Sequence, residues 1–359
     1  MAGRLFPAAV VGSLPRPAFV LDLIGREAPS ALAAGNAAMD SAVRYAVAMQ
    51  EQAGLDVVTD GEWRRKSYIG VIADLVGGFS LGRNPADGRP WTVVTQPLHT
   101  PTPGFIAGEA RFVRAVTDRA VKITLPAPAL LGERLWDPVR SSAAYPDREA
   151  FVRDCVPVLR HEIGLLRDVG VDIVQIDDPH LCLFVDPDIR ALYPDPDRSA
   201  GFAVDTVNAL VDGIAGLKFA VHLCRRAGAR VRGEQRHAGG YDPIIGHLNR
   251  LKVHHLTMEW TEPGAGDAAV LRRLREDFEI GLGCVSVTPG EVDTVDTIVE
   301  RVEAAQRHVA PERITLNPDC GFAPGSAARV DIDEVYRKLC NEAEAARRLR
   351  DRHGRRATR

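Results

Sequence analysis

The 359-residue chain has no surplus of basic charge: 45 Lys and Arg stand against 48 Asp and Glu, a formal net charge of −3. A nucleic-acid or anionic membrane partner needs a basic face to meet phosphate, so neither is expected. No apolar run approaches the roughly 20 residues that cross a bilayer. The opening Met1-Ala2-Gly3-Arg4-Leu5-Phe6-Pro7 lacks the apolar core of a secretory signal. A cytoplasmic address is the resulting expectation. The six cysteines (Cys155, Cys182, Cys224, Cys284, Cys320 and Cys340) are scattered rather than clustered. In a large cytoplasmic chain that pattern points to buried thiols or ligands, not disulfides. No Gly-x-Gly-x-x-Gly opens a helix after the first strand, which removes the dinucleotide fingerprint. The one basic run, residues 347–359, reads as a solvated helix end and a frayed terminus.

What is present is ordinary in bulk, 45% hydrophobic and 26% charged, and distinctive in rhythm. Short β-branched runs alternate with helical stripes. Strands are expected at 8–13, 56–62, 120–126, 172–178, 218–224, 254–260, 279–285 and 313–316. Helices are expected near 37–53, 147–168, 203–214, 243–250, 268–275, 292–309 and 333–350, with Asp147 as a cap. Residues from about 67 to 115 break the rhythm. They are rich in Gly, Pro and Thr and alternate at Trp91-Thr92-Val93-Val94, as in a hairpin or lid inserted after the second strand. Eight strand–helix units in one chain predict a single α/β domain over 1–359, a (β/α)8 TIM barrel.

In such a barrel the active site gathers at the carboxyl ends of the strands. Those ends carry Gly12 and Ser13, Asp60 and Glu62, Asp177 and Asp178, His222 and Cys224, Glu259, Ser286 and Thr288, and Asp319 and Cys320. Loops are polar in general, which accounts for Ser and Asp but poorly for two cysteines and a histidine on one rim. His222-x-Cys224 alone is a common string. Joined to Glu259 and Cys320 it makes a set of one imidazole, two thiolates and one carboxylate, which suits tetrahedral Zn2+. The electron-rich set favours activation of a substrate thiol for alkyl transfer over hydrolysis by a zinc-activated water. Glu62 and Asp177 are the natural clamp for a cationic group such as an α-amino group. Their alternative is a structural ion pair with Arg64, Arg65 or another rim arginine.

At these residues the chain resembles a known family. Val11-Gly12-Ser13-Leu14-Pro15-Arg16-Pro17, Asp60-Gly61-Glu62, Gln175-Ile176-Asp177-Asp178-Pro179, His222-x-Cys224 and Asn317-Pro318-Asp319-Cys320-Gly321 are similar, in order, to the catalytic domain of cobalamin-independent methionine synthase. The resemblance implies a zinc held by His222, Cys224, Glu259 and Cys320. It implies amino-acid binding by Gly12, Ser13, Glu62 and Asp177, and methylation of homocysteine to methionine. It also implies methyltetrahydrofolate as methyl donor, while the departures that follow bring in a methylated corrinoid, free or on a carrier protein, or another small methyl donor as a candidate. Several departures bear on the donor. The full-length family has a second, N-terminal barrel, and only the catalytic barrel is expected over these 359 residues. The family's histidine after strand seven has no counterpart in Gly283-Cys284-Val285-Ser286-Val287-Thr288-Pro289. Asp178 stands where the family usually has Glu, and the loop 225–241 resembles that of short single-barrel relatives. No general acid is therefore assigned. The alternatives are alkyl transfer to another thiol, a lyase of the uroporphyrinogen decarboxylase-like barrel type, and a barrel that binds zinc or thiol without turnover. Glu259 is preferred over Glu262 as ligand because it lies within a strand-like run.

Overall fold

The computed structural model describes residues 4–26, 35–83, 88, 90–225, 238–323 and 331–357. Its strands are β1 (Val57–Val58), β2 (Gly77–Arg83), β3 (Pro90–His99), β4 (Ala120–Pro126), β5 (Ile173–Asp177), β6 (Lys218–Leu223), β7 (His255–Glu259), β8 (Glu279–Val285) and β9 (Ile314–Pro318). Seven of them form one parallel sheet in the order β1-β4-β5-β6-β7-β8-β9. The strand bodies are buried β-branched and apolar runs, as expected of strands covered on both faces. β2 and β3 pair antiparallel with Phe79 opposite Val94, so the insertion does contain a hairpin.

The strand expected over residues 8–13 is reduced to two single parallel bridges, Ala8 with Leu316 and Ala9 with Val57. Ala9 N–H donates to Leu316 O at 3.1 Å, while Val57 N–H donates to Ala8 O at 3.2 Å. One short segment thus touches both edge strands of a curled sheet. The run 56–62 is likewise extended only over Val57–Val58. It is stopped by a turn in which Glu62 takes φ +58°, a left-handed conformation costing a non-glycine residue about 1–2 kcal/mol.

Helices cover the sheet where capping and stripe agree. Residues 37–53 start at Asn36, whose side chain accepts Met39 N–H. Residues 148–169 start at Asp147, which accepts Ala150 N–H at 2.8 Å. After β6 and β7 the expected helices shrink to single turns, 242–244 with 245–248, and 268–273. The last helix spans 332–357 and is not a free end. Arg350 donates to Leu5 O and Phe6 O, both at 2.8 Å, and to Asp56, tying the N-terminal segment to the sheet edge. Arg359, the last residue of the basic run, lies outside the described residues. None of the six cysteines forms a disulfide. No described helix is long and apolar enough to cross a membrane.

His255, on the inner side of β7, bonds Thr315 Oγ1 at 2.8 Å and is 8% exposed. Burial lowers its pKa to about 3. The folded chain therefore resists a proton that the unfolded chain accepts near pH 6.5, and stability falls as pH drops below that value. From pH 6.5 to 5 this group removes about 2 kcal/mol. Urea midpoints at pH 7.5 and 5 check it: the loss should be smaller by about that amount in His255→Gln.

Candidate metal centre

β6 and β9 bring the first donors together. β6 ends at Leu223, so His222 sits in the sheet and Cys224 just past it. Cys320 lies two residues past the end of β9. The nearest donor atoms of His222, Cys224 and Cys320 all fall within 4.8 Å of one another, and the two sulfurs are 3.4 Å apart. His222 is clamped from behind: its Nδ1 meets Asp177 Oδ1 at 3.0 Å, while its buried Nε2 has no hydrogen-bond partner. An imidazole held at one nitrogen and unsatisfied at the other is what a metal ligand requires. Burial works against a charged imidazole, but Asp177, Cys224 and Glu259 together outweigh it, so the His222 pKa is raised. The donor set, two thiols and one imidazole, fits zinc.

Glu259 is buried at the end of β7 and electrostatically coupled to His222, yet it is not one of the three clustered donors. Its Oε1 accepts the Arg225 backbone N–H at 2.8 Å. Arg225 also crosses to the carbonyls of Gly239 and Gly264, and Tyr241 O–H donates to Glu259 O at 3.2 Å. Residues 226–237 of the loop noted in the sequence lie outside the described residues.

The other predicted residues converge on the same spot. Gly12, Ser13, Glu62 and Asp177 line one narrow cavity of about 50 Å3 with His222, Cys224 and Cys320. Gly12 must be glycine there: a Cβ would lie 2.7 Å from Glu62 Oε1 and 2.8 Å from Thr124 Cγ2. Gly321 is constrained in the same way, since a Cβ would lie 2.3 Å from Ser13 Oγ. Ser13 serves the Cys320 loop directly. Its carbonyl accepts Phe322 N–H at 3.0 Å and its Oγ accepts Ala323 N–H at 3.2 Å. Asp319 fastens the same loop to the end of β7 by accepting Trp260 N–H at 2.7 Å and Thr261 N–H at 3.0 Å.

The rim arginines are engaged elsewhere. Arg64 pairs with Asp40, and Arg65 pairs with Glu109 at 2.9 Å. Glu62 instead accepts Thr124 O–H at 2.8 Å, and burial, ahead of any charge, raises its pKa. Thr124 Oγ1 in turn accepts Arg65 Nη1 at 3.0 Å, so Glu62 is oriented through a hydroxyl. Asp177 accepts Gln175 Nε2 at 2.8 Å as well as meeting His222, which makes it a support for the imidazole before it is anything else. Asp178 turns away to cap the next helix through Leu181 N–H at 2.9 Å.

Tyr68 was missed by sequence reasoning. It lines the cavity, where burial and the neighbouring Cys224 raise its pKa. Only its place at the start of the insertion, beside the rim, could have flagged it.

Comparison with known proteins bears on the family and the fold. Residues 6–348 match the family model described as cobalamin-independent synthase, catalytic domain. A Bacillus subtilis (strain 168) protein, YxjH, is 28% identical over 77% of this chain and 76% of its own length. A methionine synthase of Pyrococcus furiosus is 25% identical over 96% of this chain and 93% of its own. The solved structure of a B12-independent methionine synthase from Shewanella sp. W3-18-1, in complex with selenomethionine, superposes with a TM-score of 0.76. It is 19% identical and covers 97% of this chain and 98% of its own, a likeness of fold.

Proposed function

The chain belongs to the cobalamin-independent methionine synthase family as a methyltransferase of its catalytic-domain type, and on that footing we propose that it methylates the sulfur of homocysteine on a zinc site. The observation that carries the reading is the convergence of His222, Cys224 and Cys320 within 4.8 Å, beside a cavity lined by two carboxylates. These three residues would hold the metal, with Glu259 as the fourth ligand. Zinc supplies a positive charge that favours the thiolate form of a substrate thiol near neutral pH.

The chain's own residues do the rest. Glu62, oriented by Thr124, faces the substrate ammonium together with Asp177. The bare Gly12 lets the substrate backbone lie close to those carboxylates. Ser13 and Asp319 fix the loop that presents Cys320. Tyr68 forms part of the cavity wall. The thiolate sulfur forms a bond to the methyl carbon as the bond to the donor breaks, its electron pair leaving with the donor. Closure of the sheet into an eight-strand barrel through residues 8–9, as one catalytic unit, is part of the same reading.

Incubation of zinc-loaded protein with homocysteine and either methyltetrahydrofolate or methylcobalamin tests it, with methionine as the readout. Methionine with one donor identifies that donor; none with either overturns the reading. Glu259→Gln should lose more zinc, by elemental analysis, than Glu262→Gln. Equal zinc in the two would remove Glu259 from the ligand set.

A further inference from the structure

The turn that carries Tyr68 is fixed on both sides. Three residues earlier, buried Arg65 pairs with Glu109 and donates to Thr124 O at 2.8 Å. Ser67 Oγ accepts the N–H groups of Ile69 at 3.3 Å and Gly70 at 3.1 Å. Val71, Ile72 and Leu75 follow and are buried in the core. The Tyr68 ring packs against that core and lines the narrow cavity with Cys224, Cys320, Glu62 and Asp177.

Its hydroxyl makes no hydrogen bond among the described residues. Every other tyrosine except exposed Tyr45 uses its own: Tyr145 donates to Asp154 at 2.9 Å and Tyr241 to Glu259 O at 3.2 Å, Tyr193 meets Arg148 and Glu133, and Tyr336 meets Cys340. A phenol withdrawn from water normally finds such a partner. Burial first and Cys224 next raise the Tyr68 pKa, with Asp177 and Cys320 adding to them and Arg134 opposing. A phenol is protonated near neutral pH in any case, so Tyr68 offers the cavity an O–H. The sulfur end of the cavity calls for one. Two metal-binding thiols and two carboxylates line it, and the rim cations Arg64 and Arg65 are committed to Asp40 and Glu109. An entering thiolate adds a further negative charge, which a neutral donor steadies without neutralising the Glu62 and Asp177 clamp.

We propose that Tyr68 donates its O–H to the sulfur of the substrate thiol as that sulfur settles beside Cys224 and Cys320, holding it where the methyl group is received. The inference deepens the thiol methylation proposed above and rests on it. No proton moves: the hydrogen stays on the Tyr68 oxygen throughout. The bond is made to the thiolate and weakens as the sulfur gives its electron pair to the methyl carbon. It therefore stabilises bound substrate more than the transition state, and it lowers KM without raising kcat.

Tyr68→Phe keeps the ring and removes the donor, with thermal unfolding confirming that the variant is folded. Titration calorimetry on the zinc-loaded chain should show homocysteine binding weakened about tenfold or more, the usual loss for a hydrogen bond to a charged group. Methionine has the same amino and carboxylate groups but an uncharged thioether, so its binding should weaken much less. In the cobalt-substituted chain, the sulfur-to-metal charge-transfer band that homocysteine induces should move to lower energy in the variant, because a thiolate without the hydrogen bond holds its electrons less tightly. In turnover, KM for homocysteine should rise while kcat is held or slightly increased. Equal weakening for homocysteine and methionine would put the O–H on the amino-acid end and overturn the proposal. Unchanged homocysteine affinity or an unmoved band would do the same. A fall in kcat at unchanged KM would make Tyr68 a proton donor to the departing group instead. A wild-type chain that binds no homocysteine would overturn the reading of the whole site, a failure distinct from that of the Tyr68 contact.

Discussion

Replacing Cys320 by serine is expected to empty the metal site and lower methyl transfer by at least about a hundredfold, beyond the 10–100-fold typical of losing a group that merely supports a ligand. The serine hydroxyl is nearly isosteric but stays protonated near neutral pH, and an alcohol oxygen is a poor match for zinc beside a thiolate. Cys320 is 3% exposed, so the serine hydroxyl fills the buried position and water has little access to it. The fold should survive. The backbone bonds that seat the loop run through Phe322, Ala323 and the Asp319 side chain, and none uses the sulfur. Elemental zinc content and methionine formation on the folded variant are the measurements. A Cys320→Ser protein with full zinc and full activity would exclude this residue from the site.

The second large effect is expected at Asp177. Asp177→Asn keeps the shape but removes the charge that holds His222 at 3.0 Å. It also leaves a single amide oxygen to serve both the imidazole and Gln175 Nε2, which now share Oδ1 of a carboxylate. The imidazole becomes less basic and less well aimed, and zinc affinity should drop about 10–100-fold. Asp177 also lines the cavity proposed to take the substrate, so KM for homocysteine should rise even when zinc is saturating. Chelator competition gives the first quantity and steady-state kinetics the second. A variant with wild-type zinc affinity and raised KM would make Asp177 a substrate contact only.

Much of the architecture was legible because strand formation is local. The β-branched run 120–126 and the run 279–285 are strands with the expected bounds, and Asp147 caps its helix as its position before the stripe requires. The misreadings occurred where tertiary contacts override propensity. Residues 8–13 read as a full strand but meet their neighbours at two bridges only, because the chain must turn at Gly12 against Glu62. The helices expected after β6 and β7 are replaced by short turns, and the basic C-terminal run contains Arg350, which is bound to the N-terminal segment rather than to water.

The residues alone determined which chemistry is available: thiols, an imidazole and carboxylates at strand ends, since alternation and strand termini follow from neighbouring side chains. Only the tertiary structure decided how that chemistry is shared out. Strand register puts Asp177 beside His222, so one nitrogen is committed and the other is open. The turn after β6 hands Glu259 the Arg225 N–H, leaving three clustered donors with Glu259 outside the cluster. Each outcome depends on which distant partner reaches a polar atom first, a choice that no local pattern contains.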